Sequence, residues 1–175
     1  MNLIETMLSS ANGGVGQQLA SQFGLNTNQV GSVLSALAPT LAGTLKDKVS
    51  SGNASGLLDM LSQGNLQKYV EDPATLSSPA AAQAGQSILG QLFGGGNTLS
   101  NLTSEVGGKT GVDSGIVQKM LPLVVPLFMG FIAKHVTGKD GQVETEKLNN
   151  VLGSLTGEHH GVLDALKSAA GKVFG

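Results

Sequence analysis

The stretch Gly24-Leu25-Asn26-Thr27-Asn28-Gln29-Val30, followed by Val33, Leu34, Leu37, Pro39, Leu41, Gly43 and Leu45, recurs further along the chain. Its second occurrence is Gly111-Val112-Asp113-Ser114-Gly115-Ile116-Val117, followed by Met120, Leu121, Val124, Pro126, Phe128, Gly130 and Ile132. A constant offset of 87 residues aligns every pair, from Gly24 with Gly111 to Pro39 with Pro126. In both, apolar residues recur at spacings of three and four, the period of an amphipathic helix. Gly24 and Gly111 stand where a left-handed residue ends the preceding helix. Asn26 or Thr27, and Asp113 or Ser114, stand where a side chain caps the next one. The 175-residue chain therefore reads as two related halves, residues 1–96 and 97–175, packed as one globule.

Working outward, the same order of elements is predicted in each half. In the first, a helix covers Leu3 to Leu8 and resumes from Val15 to Phe23 after Asn12-Gly13-Gly14. The long helix ends near Val49, and further helices cover Ser55–Leu61 and Ala80–Phe93. Between these two, Glu71 to Pro79 is the most loop-like interior stretch, with two Pro and two Ser, and its part from Pro73 to Pro79 reads as an insertion. Gly94-Gly95-Gly96-Asn97 reads as a hinge at the midpoint. In the second half, a helix from Leu99 to Val106 breaks at Gly107-Gly108, and the long helix runs from Gly115 to His135. Helices over Val143–Leu155 and Gly161–Phe174 follow, with turns at Gly138–Gly141 and Gly157–His160. The two halves also end alike, Gly90-Gln91-Leu92-Phe93-Gly94 against Gly171-Lys172-Val173-Phe174-Gly175. No sustained alternation of polar and apolar residues marks a strand. The expectation is an all-α fold of about eight helices.

The two long helices share a stripe but differ on their flanks. Ala36, Ala38, Thr40, Ala42 and Thr44 of the first stand opposite Leu123, Val125, Leu127, Met129 and Phe131 of the second. A helix apolar almost all round is normally buried, so the second belongs at the centre and the first nearer the edge. Each carries a Pro with a Gly four residues later, on the side away from the stripe. Each Pro removes the donor for the carbonyl four residues before it, Ser35 or Pro122, so a kink or a fresh start is predicted there. The smooth Pro/Gly back suits a close helix contact within the fold, or a groove or self-association surface.

Composition excludes several functions. Charged residues make up 13% of the chain, about half the usual share, which leaves a weakly charged surface prone to association. The net charge is −2, the ten basic residues are all Lys, and they are scattered. Without Arg or a clustered basic face, nucleic acid is not an expected partner. The absence of Cys removes disulfides, thiolate metal sites and Cys nucleophiles. The N-terminus has neither a basic region nor a long apolar run, so no secretory signal is read and a soluble, cytoplasmic protein is expected. Met120 to Ala133 is the most apolar run, but fourteen residues with two Pro are short of the ~20 a membrane span needs.

Candidate chemistry is sparse. Gly107-Gly108-Lys109-Thr110 resembles the end of a phosphate-binding loop, but Thr103 stands where its first Gly should be. Glu158, His159, His160 and Asp164 have metal-like spacing, yet zinc needs three or four convergent ligands and His135 is the one other His. Gly31-Ser32, Gly85-Gln86-Ser87 and Gly153-Ser154 are incomplete versions of a nucleophile elbow. Glu71-Asp72 and Glu144/Glu146 read as solvated carboxylates. No cofactor, metal or catalytic residue is assigned, and the chain is not expected to be an enzyme.

The segment Gly24-Leu25-x4-Val30-x3-Leu34-x2-Leu37-Ala38-Pro39-x-Leu41-x-Gly43, its second occurrence, and Ile88-Leu89-Gly90-Gln91-Leu92-Phe93-Gly94 resemble the bacterial domain of unknown function 937 family, similar in flavour to YidB-like proteins. The resemblance covers most of the chain and implies a bacterial, mainly helical protein without established activity. It supplies no catalytic residues. Three functions are therefore in play. The first is a non-enzymatic interaction or scaffold protein, binding a protein partner or a second copy of itself. The second is a carrier of an apolar ligand between helices. The third is a hydrolase hidden among Ser and His residues. Leu123, Leu127, Met129 and Phe131 are the candidate interaction or pocket residues.

Overall fold

The computed structural model describes residues 13–63, 66–94, 96–137 and 142–155, with Thr6, Ser9 and Asp140 besides. Among them eight α-helices and no strands occur, so the fold is all-α. They are α1 (Gly14–Phe23), α2 (Thr27–Lys48), α3 (Ala54–Gln63), α4 (Lys68–Glu71), α5 (Pro79–Phe93), α6 (Gly96–Thr110), α7 (Ser114–Val136) and α8 (Thr145–Leu155). The expected helix over Gly161–Phe174 and the His159-His160 cluster lie outside the described residues.

Local chemistry sets the helix ends. Gly24, Gly94 and Gly111 take the positive φ that side-chain-bearing residues avoid. At the start of α2, the Asn26 side chain accepts from the Gln29 N–H at 2.8 Å, and the Gln29 side chain accepts from the Asn26 N–H at 3.1 Å. This reciprocal box satisfies two donors that a helix start leaves open. At the start of α7, Asp113 accepts from the Gly115 N–H at 2.8 Å. Ser78 caps α5, with Pro79 as its first residue.

Helix α7 is the axis of the molecule. It touches α5 along its length, then α6 and α8, and also meets α3 and α4. Fifteen of its residues are buried, from Val117 to Val136. It is the one helix among the described residues long and apolar enough to cross a membrane, but 78% of its most apolar window is buried inside the fold. Helix α2 packs against α1, α6 and α8 and meets α7 only over a short stretch. The two long helices thus touch only briefly, with α7 at the centre and α2 nearer the edge. Helices from either side of residue 96 interleave, as α5 on α7 and α2 on α6 and α8.

Three local expectations change. Both long helices run through their prolines as single helices, with no fresh start at Pro39 or Pro126. The loop-like stretch before α5 is ordered into a 3₁₀ turn, Pro73–Ser77, which buries Leu76, while the short helix α4 just before it buries Tyr69 and Val70. Asp72 caps that turn by accepting from the Ala74 N–H. The midpoint is not an extended hinge, because α6 already begins at Gly96 and continues through Gly107 and Gly108 to Thr110.

Candidate functional site

The Pro/Gly back of α7 is closed by the chain itself. Pro126 has no N–H, so the Pro122 carbonyl lacks its normal helical donor. Gly85 of α5 sits directly on that carbonyl: a Cβ at position 85 would lie 1.6 Å from the Pro122 oxygen and 2.4 Å from its carbon. Only a glycine Cα–H can approach a carbonyl so closely, as a weak C–H···O contact. At Gly130 the visitor is the entry to α4. A Cβ there would lie 2.1 Å from the Leu66 oxygen and 3.3 Å from Val70 Cγ2. The ordered stretch before α5 thus lies over one glycine of α7, and α5 itself supplies the glycine that meets Pro122.

The corresponding back of α2 is open. Ser35 and Pro39 are exposed, and a side chain added at Gly43 would meet no atom within 4 Å beyond its own turn. The carbonyl freed by Pro39 belongs to Ser35, which faces solvent, where water satisfies it at little cost. The opposite face carries the stripe, with Val30, Val33, Leu34, Leu37, Leu41 and Leu45 buried. No charged residue occurs from Thr27 to Leu45. The outward face of a helix normally carries charged and polar groups, so a bare Ser/Pro/Gly row is a departure that needs a reason.

The four candidate residues on α7 are not part of an exposed face. Leu123 is 5% exposed, Leu127 0%, Met129 1% and Phe131 1%. All four belong to the core, because α7 is surrounded on every flank by helices of its own chain. The expectation of a surface presented to another protein at these positions is therefore corrected: they hold the fold together. Their counterparts on α2, Ala36, Thr40 and Thr44, are half-buried, while Ala42, opposite Met129, is buried. The larger flanks of α7 are the cost-free way to fill the space between its neighbours.

A cleft lies elsewhere, between the end of α2, the turn after it, α3 and the last turn of α5. Its volume is about 330 Å³. Buried Leu57 and Leu92, half-buried Met60 and exposed Gly56 give the apolar part of its lining. Lys48, Asn53 and Gln91 give the polar part. This site is not legible in the sequence, because Gln91 and Leu92 reach the stretch between Lys48 and Met60 only through the fold. The one local signal was Lys48 beside the apolar Leu57, Leu58 and Leu61 of the next helix.

The motifs that suggested chemistry fold into ordinary helix geometry. Gly107, Gly108, Lys109 and Thr110 form the last turn of α6, not a loop, and Lys109 pairs with Glu105 at 2.6 Å. Gly107 is small because the Val112 carbonyl would lie 3.0 Å from a Cβ there. Ser32, Ser87 and Ser154 donate to the carbonyls of Asn28, Gln83 and Asn150 in their own helices. His135 stacks on Phe131 at 4.2 Å, with its Nδ1 at 2.8 Å from the Phe131 carbonyl. Glu71 faces Lys134 at 3.7 Å, and Glu144 pairs with Lys147. Among the described residues, no three His, Asp or Glu side chains gather as a metal site.

Compared with known proteins, residues 5–135 match the family model described as a bacterial protein of unknown function, DUF937. The chain belongs to this family. No curated protein and no solved structure matches it. The family's span takes in α2, α7 up to His135, the contact between Gly85 and Pro122, and every residue lining the cleft. Helix α8 lies beyond it. The DUF937 description names no activity, so the function rests on the geometry of this chain.

Proposed function

We propose that this DUF937 protein is a non-enzymatic interaction module that associates with a second copy of itself through the outer face of α2. The observation that carries the reading is the open, uncharged row Ser35, Pro39 and Gly43, set against the same Pro/Gly pair on α7, which the chain covers. Residues four apart form a ridge, and ridges of this kind interdigitate when two helices cross at about −50°. A glycine and a serine on the ridge let the partner backbone come near.

The second copy is the occupant that the chemistry favours. A contact across a twofold axis places each residue near its own kind. A single-sign charge would repel itself there, whereas serine hydroxyls both donate and accept and so pair with one another. Interface centres are depleted of charged residues, as this row is. The small net charge of −2 puts little long-range repulsion between copies.

Light scattering behind size-exclusion chromatography tests the reading. The wild-type chain is expected to shift from monomer to dimer mass as concentration rises. Ser35→Glu, which adds a carboxylate at an exposed position, is expected to weaken the dimer at least tenfold without changing the helical circular dichroism. A wild-type chain that stays monomeric at high concentration overturns the proposal, and so does a Ser35→Glu variant that dimerises like the wild type.

A further inference from the structure

The geometry points to the cleft beside Lys48 as a binding site for a small anionic amphiphile, a molecule with a short alkyl chain and a carboxylate head. This inference stands on residues other than the α2 row and is independent of self-association. The apolar lining is made by Leu57 and Leu92, which are buried, and Met60, which is half-buried. Methionine is the side chain best able to reshape itself around an alkyl chain. Gly56 adds no side chain at the mouth, and the space before it is open, with no atom within 4 Å of a built Cβ. The volume of about 330 Å³ is at the small end for ligand sites, which sets the chain length to a short one.

The polar lining decides the head group. Lys48 is the one charged residue among the lining groups. Among the described residues it has no ion-pair partner, whereas Lys109, Lys134 and Lys147 each have a carboxylate within 4 Å. Asn53 and Gln91 supply amide N–H groups on the same lining. An ammonium and two amides together offer donors to a carboxylate, and Lys48, with no carboxylate on the lining to offset it, disfavours a cation. The carbonyl end of α2 opposes an anion, and the Lys48 ammonium in its last turn works against that effect. Asp59 on α3 is exposed and not part of the lining.

Calorimetric titration with decanoate and with decyltrimethylammonium, both below their micelle concentrations, tests the inference. The intact chain is expected to bind one decanoate saturably and to bind the cationic chain at least tenfold more weakly. Two variants separate charge from space. Lys48→Glu reverses the charge, and Gly56→Leu fills the cleft mouth from an exposed position that disturbs no core contact. Each is expected to weaken decanoate binding at least tenfold with the thermal unfolding midpoint maintained. Absent binding to the intact chain, equal binding of the cationic chain, or wild-type affinity in either variant overturns the site.

Discussion

Helices α2 and α7 carry the same stripe, the same Pro and the same Gly at an offset of 87 residues, and they live in different surroundings. Around the middle of α7 the chain has closed every side, so Leu123, Leu127 and Phe131 fill space that α2 meets with half-buried Ala36, Thr40 and Thr44. The Pro/Gly back shows the same division. On α7 it is a seat for other backbone, with Gly85 on the Pro122 carbonyl and the Leu66 carbonyl on Gly130. On α2 it looks outward. The residues the two helices share are those each needs in order to be a helix with one buried face. Their differences record what lies on the remaining faces.

The contrast predicts paired mutations with unequal effects. Phe131→Ala should cost about 3–5 kcal/mol, since it empties a fully buried position, while Thr44→Ala should stay within about 1 kcal/mol. Urea unfolding of the two variants checks this. Equal losses would mean that α2 is as enclosed as α7. Gly85→Ala comes next, at about 3 kcal/mol, because its Cβ would strike backbone that cannot swing aside. Where that variant does not fold, Gly90→Ala, five residues along the same helix at an exposed position, should remain near wild type or gain slightly. Smallest are the caps. Asn26→Ala and Asp113→Ala should each cost about 1 kcal/mol, read as lowered thermal midpoints, with Asn26 the larger of the two because it anchors a reciprocal pair. A larger loss at Asp113 would show that α7 depends on its cap more than on its packing.

Much of this fold was legible in the chain because the signals were local. Asn26, Asp113, Gly24 and Gly111 mark helix ends by backbone chemistry, and the stripe of Val33, Leu34, Leu37 and Leu41 marks a face by period alone. What escaped was set by distant contacts. Tyr69 and Val70 sit on a four-residue helix, too short to show a period, with a Pro- and Ser-rich stretch directly after it. Gly107 and Gly108 read as a break, yet packing on α7 carries α6 through them, and the Val112 carbonyl lies close enough to Gly107 to favour the smallest residue there. The apolar flank of α7 was read correctly as central, but its residues also drew attention as a binding surface, because periodicity cannot say whether the covering group belongs to the same chain. The cleft was invisible for the same reason: Lys48, Leu57 and Leu92 become neighbours only through the tertiary fold.

One Pro/Gly back is closed by the chain and the other is left open. Equilibrium urea unfolding of Gly130→Ala and Gly43→Ala, at a dilution that keeps the chain monomeric, tests it most directly. Gly130→Ala is expected to lose about 1–3 kcal/mol, because its Cβ meets the Leu66 carbonyl. Gly43→Ala is expected to gain about 0.5–1 kcal/mol, because nothing lies in its way and alanine favours the helix. Changes of the same sign in the two variants would contradict the account.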